Sequence, residues 1–260
     1  MLSRVIVTVI GIPLVYGCLV FNGISRLGLF LFVAIVGVYE FLRMFLPPGE
    51  SLPLLEFFLS GGILISTQIF RERGLLFSIA FAGLILASAV VLRGLKGDGF
   101  KRFSSGIASL LYIPFCLGFY NLLGTQDSQG GVQIFAVLVS IWALDIGAFF
   151  SGCSIGGPRL APNISPKKTF SGALGGIVTC GLTVYGLFHF GFFTTTPVRV
   201  MGLGLSIGVF SQLADLFESV LKREAGIKDS GRIFGNHGGM LDRLDSVLFI
   251  GPIAYLFLGW

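Results

Sequence analysis

Charge is scarce in this sequence: only 12% of its 260 residues are Asp, Glu, Lys or Arg, roughly half of what a water-soluble chain carries. Histidine is nearly absent, with His189 and His237 alone, and the four cysteines stand singly at positions 18, 116, 153 and 180 without CxxC spacing. These shortages exclude a disulfide scaffold and a zinc or redox set. Three of the cysteines fall inside apolar runs and read as small hydrophobes. There is no low-complexity segment and no internal repeat, and nothing in the composition indicates a disordered tail or a nucleic-acid binder.

What the chain has instead is apolar bulk. Hydrophobic residues make up 54%, mean hydropathy is +0.90, and 27 Phe accompany 38 Gly. That mixture suits helices packed closely in lipid. Runs long enough to cross a bilayer lie near 5–21, 27–45, 53–70, 74–92, 104–124, 132–151, 172–193, 198–218 and 244–260. The expected fold is therefore all-α, a polytopic membrane bundle of about nine transmembrane helices with its N-terminus in the cytoplasm. Basic residues test this count, because Lys and Arg collect on cytoplasmic loops. Of the 18 Lys and Arg, only Arg26, Arg71, Arg73 and Arg199 fall on the opposite side. The net charge of +5 is thus mostly a topology signal. Arg4 precedes an apolar run as in a signal peptide, but no A-x-A-like site follows, so a retained anchor is expected.

The chain divides by tone rather than by a linker. Residues 1–124, about five spans, hold few intramembrane ionisable groups, whereas 125–260 carry most of the polar features and are expected to carry the chemistry. Two cytoplasmic loops stand out in the second region, 152–171 and 219–243. The first contains Ser165-Pro166-Lys167-Lys168-Thr169; the second contains Lys222-Arg223, Lys228-Asp229, His237-Gly238-Gly239 and Asp242-Arg243-Leu244-Asp245. A topology signal needs only Lys and Arg, not Gly, Asp, Ser and His interleaved with them.

Helical spacing groups these residues. Asp215, Glu218, Ser219 and Lys222 share one face where the eighth run ends, and Asp242, Asp245 and Ser246 share one where the ninth begins. Carboxylates that leave room for water and phosphate oxygens are how proteins hold Mg²⁺. Glycines let backbone N–H groups approach anionic oxygens, and Lys and Arg neutralise them. The competing reading is that Asp229, Asp242 and Asp245 simply pair with Lys228 and Arg243. Asp145, inside the sixth run, is a sharper signal, since an ionised carboxylate there is costly and usually functional. Glu40 and Glu56 lie near the ends of their runs, where snorkelling explains them equally well. His237, beside a carboxylate pair, is a candidate phosphate or metal contact; His189, among Phe residues, reads as structural.

Read as one string from Ser219 to Asp245, the second loop resembles the C-terminal signature of phosphatidate cytidylyltransferases, also called CDP-diacylglycerol synthases. Ser165-Pro166-Lys167-Lys168-Thr169 with Gly172 resembles that family's other cytoplasmic loop, Trp142 and Asp145 its preceding span, and Tyr39-Glu40 an early element. Three positions depart from the pattern: Gly235 where Pro is common, Ser171 where Glu is frequent and Gly157 where a basic residue is frequent.

The resemblance implies a Mg²⁺-dependent enzyme of the bacterial plasma membrane, a homodimer with its active site facing the cytoplasm, that makes CDP-diacylglycerol and pyrophosphate from CTP and phosphatidate. It places the metal on Asp215 and Asp242, with a second cation such as K⁺ alongside. The expected catalytic set is Asp215, Asp242, Lys222, Lys228 and Asp245. The expected substrate contacts are Asp145, Ser165, Lys167, Lys168, Thr169, Arg223, Asp229, His237, Gly238, Gly239 and Arg243. The main rival, an ion-coupled transporter, should place its polar residues near the midplane in matched halves; here they cluster on one face with no repeat.

Overall fold

The computed structural model describes residues 2–47, 53–94, 98–231, 233 and 238–259, with side chains from Ile10 onward apart from Arg93. The chain is an all-α membrane protein. Its helices are α1 (Leu2–Val20), α2 (Gly23–Phe45), α3 (Leu54–Arg93), α4 (Gly99–Leu110), a π-helical turn (Leu111–Phe115), α5 (Cys116–Gly124), α6 (Gly130–Ile155), α7 (Phe170–His189), α8 (Pro197–Glu224) and α9 (Leu241–Leu258). Between α6 and α7 lies one antiparallel hairpin of β1 (Arg159–Ala161) and β2 (Ser165–Thr169).

Among the described residues, six stretches are long and apolar enough to cross a membrane, at 23–45, 54–92, 99–124, 130–155, 170–189 and 197–224. The second, within α3, holds two of the expected runs, because the backbone of Arg71 sits at φ 55, ψ −135 and turns α3 back on itself. For a bulky residue that conformation is strained. Of α1, the part described with side chains, Ile10–Val20, is apolar. The first turns of α9 carry Asp242, Arg243 and Asp245, which lower its hydropathy.

Starts of helices follow their caps. Asn22 accepts from Ser25 N at 2.7 Å ahead of α2, Thr169 from Gly172 N at 3.1 Å ahead of α7, and Thr196 from Arg199 N ahead of α8, where Pro197 takes the first turn. Each cap satisfies an amide that the helix cannot reach. Pro114 has no N–H to give, and the ladder around it widens into the π-helical turn that sets Tyr112 into the interior.

Two packing features position the polar residues. The helices α6 and α7 meet through small residues: a Cβ on Gly172 would stand 2.8 Å from Ala148 O, and one on Gly176 3.1 Å from Leu144 O. Such close approach drives helix association in lipid, where burial of apolar surface supplies little. The second feature is the seat of α9. Its Val247 O accepts from the buried Tyr120 hydroxyl at 2.9 Å, and Ser246 Oγ donates to Ser211 O of α8 at 3.1 Å.

Two sequence expectations change here. The segment 152–171 is not an open loop: α6 runs to Ile155, residues 159–169 form the hairpin, and α7 begins at Phe170. Likewise α8 continues through Glu224, so Ser219, Lys222 and Arg223 are helical and only the residues after it form the connection to α9. In both places the backbone finds hydrogen-bond partners that hydropathy alone does not reveal.

Candidate active site

A cavity of about 400 Å³ opens among α6, α7, α8 and the hairpin. Asp145 of α6, Lys167 and Lys168 of β2, Thr169 and Asp215 of α8 all line it, with Arg159 at its wall. Leu144, Ala148 and Phe149 form an apolar side. The hairpin is aimed by the turn that precedes it, where Gly156 (φ 65) and Gly157 (φ 104) adopt a backbone that a side chain would strain. Ser171 Oγ donates to Gly156 O, and Arg159 Nη1 donates to Lys167 O at 3.1 Å. These contacts hold Lys168 over α8, where it forms an ion pair with Asp215. Gln212, one turn earlier, ties α8 to α7 by donating to Ala173 O at 3.0 Å.

A second centre lies further along the same face of α8. Lys222 Nζ donates to Glu218 Oε2 and to Asp242 Oδ1, both at 2.7 Å. Asp242 Oδ2 accepts from Gly239 N at 2.8 Å, Ser230 N at 2.9 Å and Ser230 Oγ at 3.0 Å. An acidic residue that reaches back to amides ahead of its helix, in the first turn, is favoured by those N–H groups and by the helix dipole. The glycines make room for it: a Cβ on Gly238 would stand 2.6 Å from Asp242 Oδ2, and one on Gly239 2.3 Å from Ser230 Oγ.

Asp245, one turn into α9, lies near both centres. It interacts electrostatically with Asp215, Glu218 and Asp145, and Asp145 in turn with Asp215 and Lys168. The structure therefore gathers Asp145, Lys167, Lys168, Thr169 and Asp215 around one cavity, and Lys222, Asp242, Gly238 and Gly239 around the other centre. Ser165 opens β2 and pairs with Ala161. Lys228, Asp229, Arg223 and Arg243 are exposed, and Arg223 Nη1 closes the end of α8 by donating to Ile227 O at 3.2 Å. His237 lies outside the described residues.

Three contributors escaped the expected set. Glu218 is 2% exposed and shares Lys222 with Asp242; its i+3 spacing from Asp215 was the available signal. Ser230 carried none, since a lone serine in a polar segment is unremarked. Glu40 does not snorkel: it is buried, 5% exposed, and accepts from Ser230 Oγ and from Leu241 N. Glu56 is buried as well.

The donor set fits a hard divalent cation. Asp145, Asp215, Glu218, Asp242 and Asp245 outnumber Lys168 and Lys222, whose ion pairs hold three of them, and Glu218 Oε1 is buried without a hydrogen-bond partner. Carboxylate oxygens are the ligands Mg²⁺ takes. Each of the two aspartates expected to hold metal carries a lysine ammonium on one oxygen. Among the described residues, no three His, Cys, Asp or Glu side chains converge as a ready-made ligand group.

Comparison with known proteins bears on this geometry. The sequence model of the cytidylyltransferase family matches residues 2–260. The phosphatidate cytidylyltransferase of Bacillus subtilis is 36% identical over 262 residues, covering 92% of this chain and 96% of that protein. That of Brucella melitensis is 37% identical over 198 residues, 75% of this chain and 70% of its own. The Thermotoga maritima protein of the same name is 29% identical over 261 residues, 98% of this chain and 94% of its own.

Proposed function

The chain belongs to the cytidylyltransferase family, and on that premise we propose that it joins CTP to phosphatidate, releasing pyrophosphate and leaving CDP-diacylglycerol in the membrane. The observation that supports this most directly is the pairing of two Lys–Asp centres along α8 beside a cavity lined by Arg159, Lys167 and Lys168. Both reactants are phosphate anions, so the protein's tasks are neutralisation and alignment.

In this reading the phosphate of phosphatidate attacks the α-phosphorus of CTP in line, and pyrophosphate departs on the opposite side. The attacking phosphate monoester is already ionised near neutral pH, its second pKa being about 6. No strong general base is therefore needed, in keeping with a site built of Asp and Lys rather than a Ser–His or Cys–His pair. Lys167 and Lys168 meet phosphate oxygens in the cavity, and Lys168 exchanges its ion pair with Asp215 for a substrate oxygen. Lys222 stays between Glu218 and Asp242 and keeps their charge from repelling the incoming phosphates. Asp145 and Asp245 orient the groups around Asp215. Gly238 and Gly239 keep the backbone close to Asp242. Asp215 and Asp242 would hold Mg²⁺, which supplies positive charge to the phosphate oxygens when bound. The apolar side of the cavity, with exposed Phe149 and Phe150 on α6, offers the acyl chains a way in from lipid.

The same reading extends to topology. The two arms of α3 each cross the membrane, as do α1 and α9, giving nine crossings with the N-terminus and the site on the cytoplasmic face of a bacterial plasma membrane. A homodimer and a second cation such as K⁺ belong to it too.

The deciding experiment supplies purified protein in detergent with phosphatidate and labelled CTP, with and without Mg²⁺, beside Asp215→Asn and Asp242→Asn. Metal-dependent CDP-diacylglycerol that disappears in both folded variants is the expected result. Stable, lipid-supplied wild type that makes no product would end the reading, and product that survives both substitutions would move the metal elsewhere.

A further inference from the structure

We infer that Glu40, on α2 and 190 residues from its partner Ser230, is a positioning residue for Asp242. This deepens the reading above and rests on Asp242 being essential to the transfer.

The contacts run in one chain. Leu241 is the first residue of α9, and its N–H is among those a helix cannot satisfy from within. Glu40 Oε2 accepts that N–H at 3.0 Å. Among the described residues no side chain on α9 or just before it makes this bond, and a carboxylate from a distant helix acts as the cap. The same oxygen accepts from Ser230 Oγ at 3.2 Å, and Ser230 Oγ also lies 3.0 Å from Asp242 Oδ2. A serine has one hydroxyl proton, so it serves one carboxylate at a time and makes the position of each depend on the other.

Close packing seals the arrangement. A Cβ on Gly231 would stand 2.1 Å from Glu40 Oε1, and one on Gly239 2.5 Å from Glu40 Oε2. Gly231 and Gly239, both between α8 and α9, thus abut the Glu40 carboxylate. At 5% exposure that carboxylate has left water, and a buried charge persists only where donors meet it. Asp242 in turn needs Ser230 N and Gly239 N where Glu40 holds them if its Oδ1 is to face Lys222. Glu40 therefore fixes the start of α9 and the direction of Asp242 without touching the reacting groups.

The test compares full-length wild type, Glu40→Ala, Glu40→Gln, Ser230→Ala and Asp242→Asn in lipid-supplemented detergent. Hydrogen exchange over 226–242 is measured alongside kcat, the KM for CTP and the Mg²⁺ concentration that gives half-maximal rate. Glu40→Ala should speed exchange in 226–242 while leaving the transmembrane peptides unchanged. It should lower kcat between about ten- and a hundredfold, as misplacement of a site by an ångström does, leave the KM for CTP within about threefold and raise the Mg²⁺ requirement. Glu40→Gln, which keeps an acceptor oxygen, should restore the exchange pattern and return kcat to within about fivefold.

Unchanged exchange in 226–242, or a wild-type kcat in folded Glu40→Ala, would overturn the inference. So would Gln failing as completely as Ala. If Glu40→Ala does not fold, Ser230→Ala decides: slower turnover with an unchanged KM for CTP and faster exchange in 226–242 supports the coupling, and wild-type behaviour in both sinks it. Full activity in Asp242→Asn would remove the site reading itself, which an intact Asp242 requirement beside an indifferent Glu40 would not.

Discussion

Two lysine–aspartate pairs stand along one helix and behave as different devices. Lys168–Asp215 faces the cavity, with side chains 24% and 40% exposed, and its lysine arrives on a short hairpin. Lys222–Asp242 is 13% and 12% exposed, with a second buried acid on the lysine and three donors on the aspartate. A partly exposed ion pair contributes about 0–1 kcal/mol; the Lys168 ammonium nitrogen is itself covered, but Asp215 stays open to the cavity, so the first pair is the easier one to exchange for a ligand's phosphate. The second is enclosed, and breaking it strands charge where water does not reach. On the proposed function, one centre is arranged to change partners and the other to hold its shape while the first does so.

The largest effect should come from the aspartates themselves. Asp215→Asn and Asp242→Asn should each lower turnover by a hundredfold or more, the scale expected when a group that organises developing charge is lost, about 10²–10³. Only Asp242→Asn should also loosen the chain before α9, read by exchange over 226–242. Equal loosening in both would erase the distinction.

Next come the lysines. Lys222→Met leaves Glu218 and Asp242 facing each other and should cost about 3–5 kcal/mol of stability. Lys168→Met should cost less than about 1 kcal/mol yet still abolish turnover. Thermal unfolding in detergent, with activity measured on the same samples, separates them. Similar losses of stability would show that the first centre is structural too.

Smaller changes sharpen the contrast. Gly239→Ala forces a Cβ to within 2.3 Å of Ser230 Oγ and should lower kcat about tenfold by displacing Asp242. A substitution at Gly181, whose Cβ would meet nothing within 4 Å, serves as the control. The mildest probe is chemical. Cys153 is exposed and lines the cavity, so with Cys18, Cys116 and Cys180 replaced it reports on occupancy. CTP or a short-chain phosphatidate at ten times its dissociation constant should slow maleimide labelling about tenfold. Labelling indifferent to both would take the cavity out of the site.

Much of this was legible from local pattern. Apolar runs mark the helices because the cost of placing a residue in lipid depends on that residue and its near neighbours. The i, i+3, i+7 spacing of Asp215, Glu218 and Lys222 already set them on one face, and the Ser165–Thr169 string announced a polar element between two spans. The hairpin there was not legible, since strand pairing depends on how two short segments meet. Glu40 was misjudged for a related reason. Its position near the end of an apolar run is compatible with an acid that reaches out to water, and only the arrival of Ser230 and Leu241 beside it makes burial affordable.

By itself the sequence determined the class and the chemistry: an all-α membrane chain, a member of the cytidylyltransferase family, with Asp, Lys and Gly concentrated in two segments of its second half. Hydropathy and motif spacing are local quantities, and a linear string carries them in full. Which lysine faces which aspartate, that Glu218 shares one of them, and that an acid from α2 caps α9 were decided by tertiary structure. Those are contacts between segments far apart in the chain, and their geometry follows from how α2, α6, α7, α8 and α9 pack.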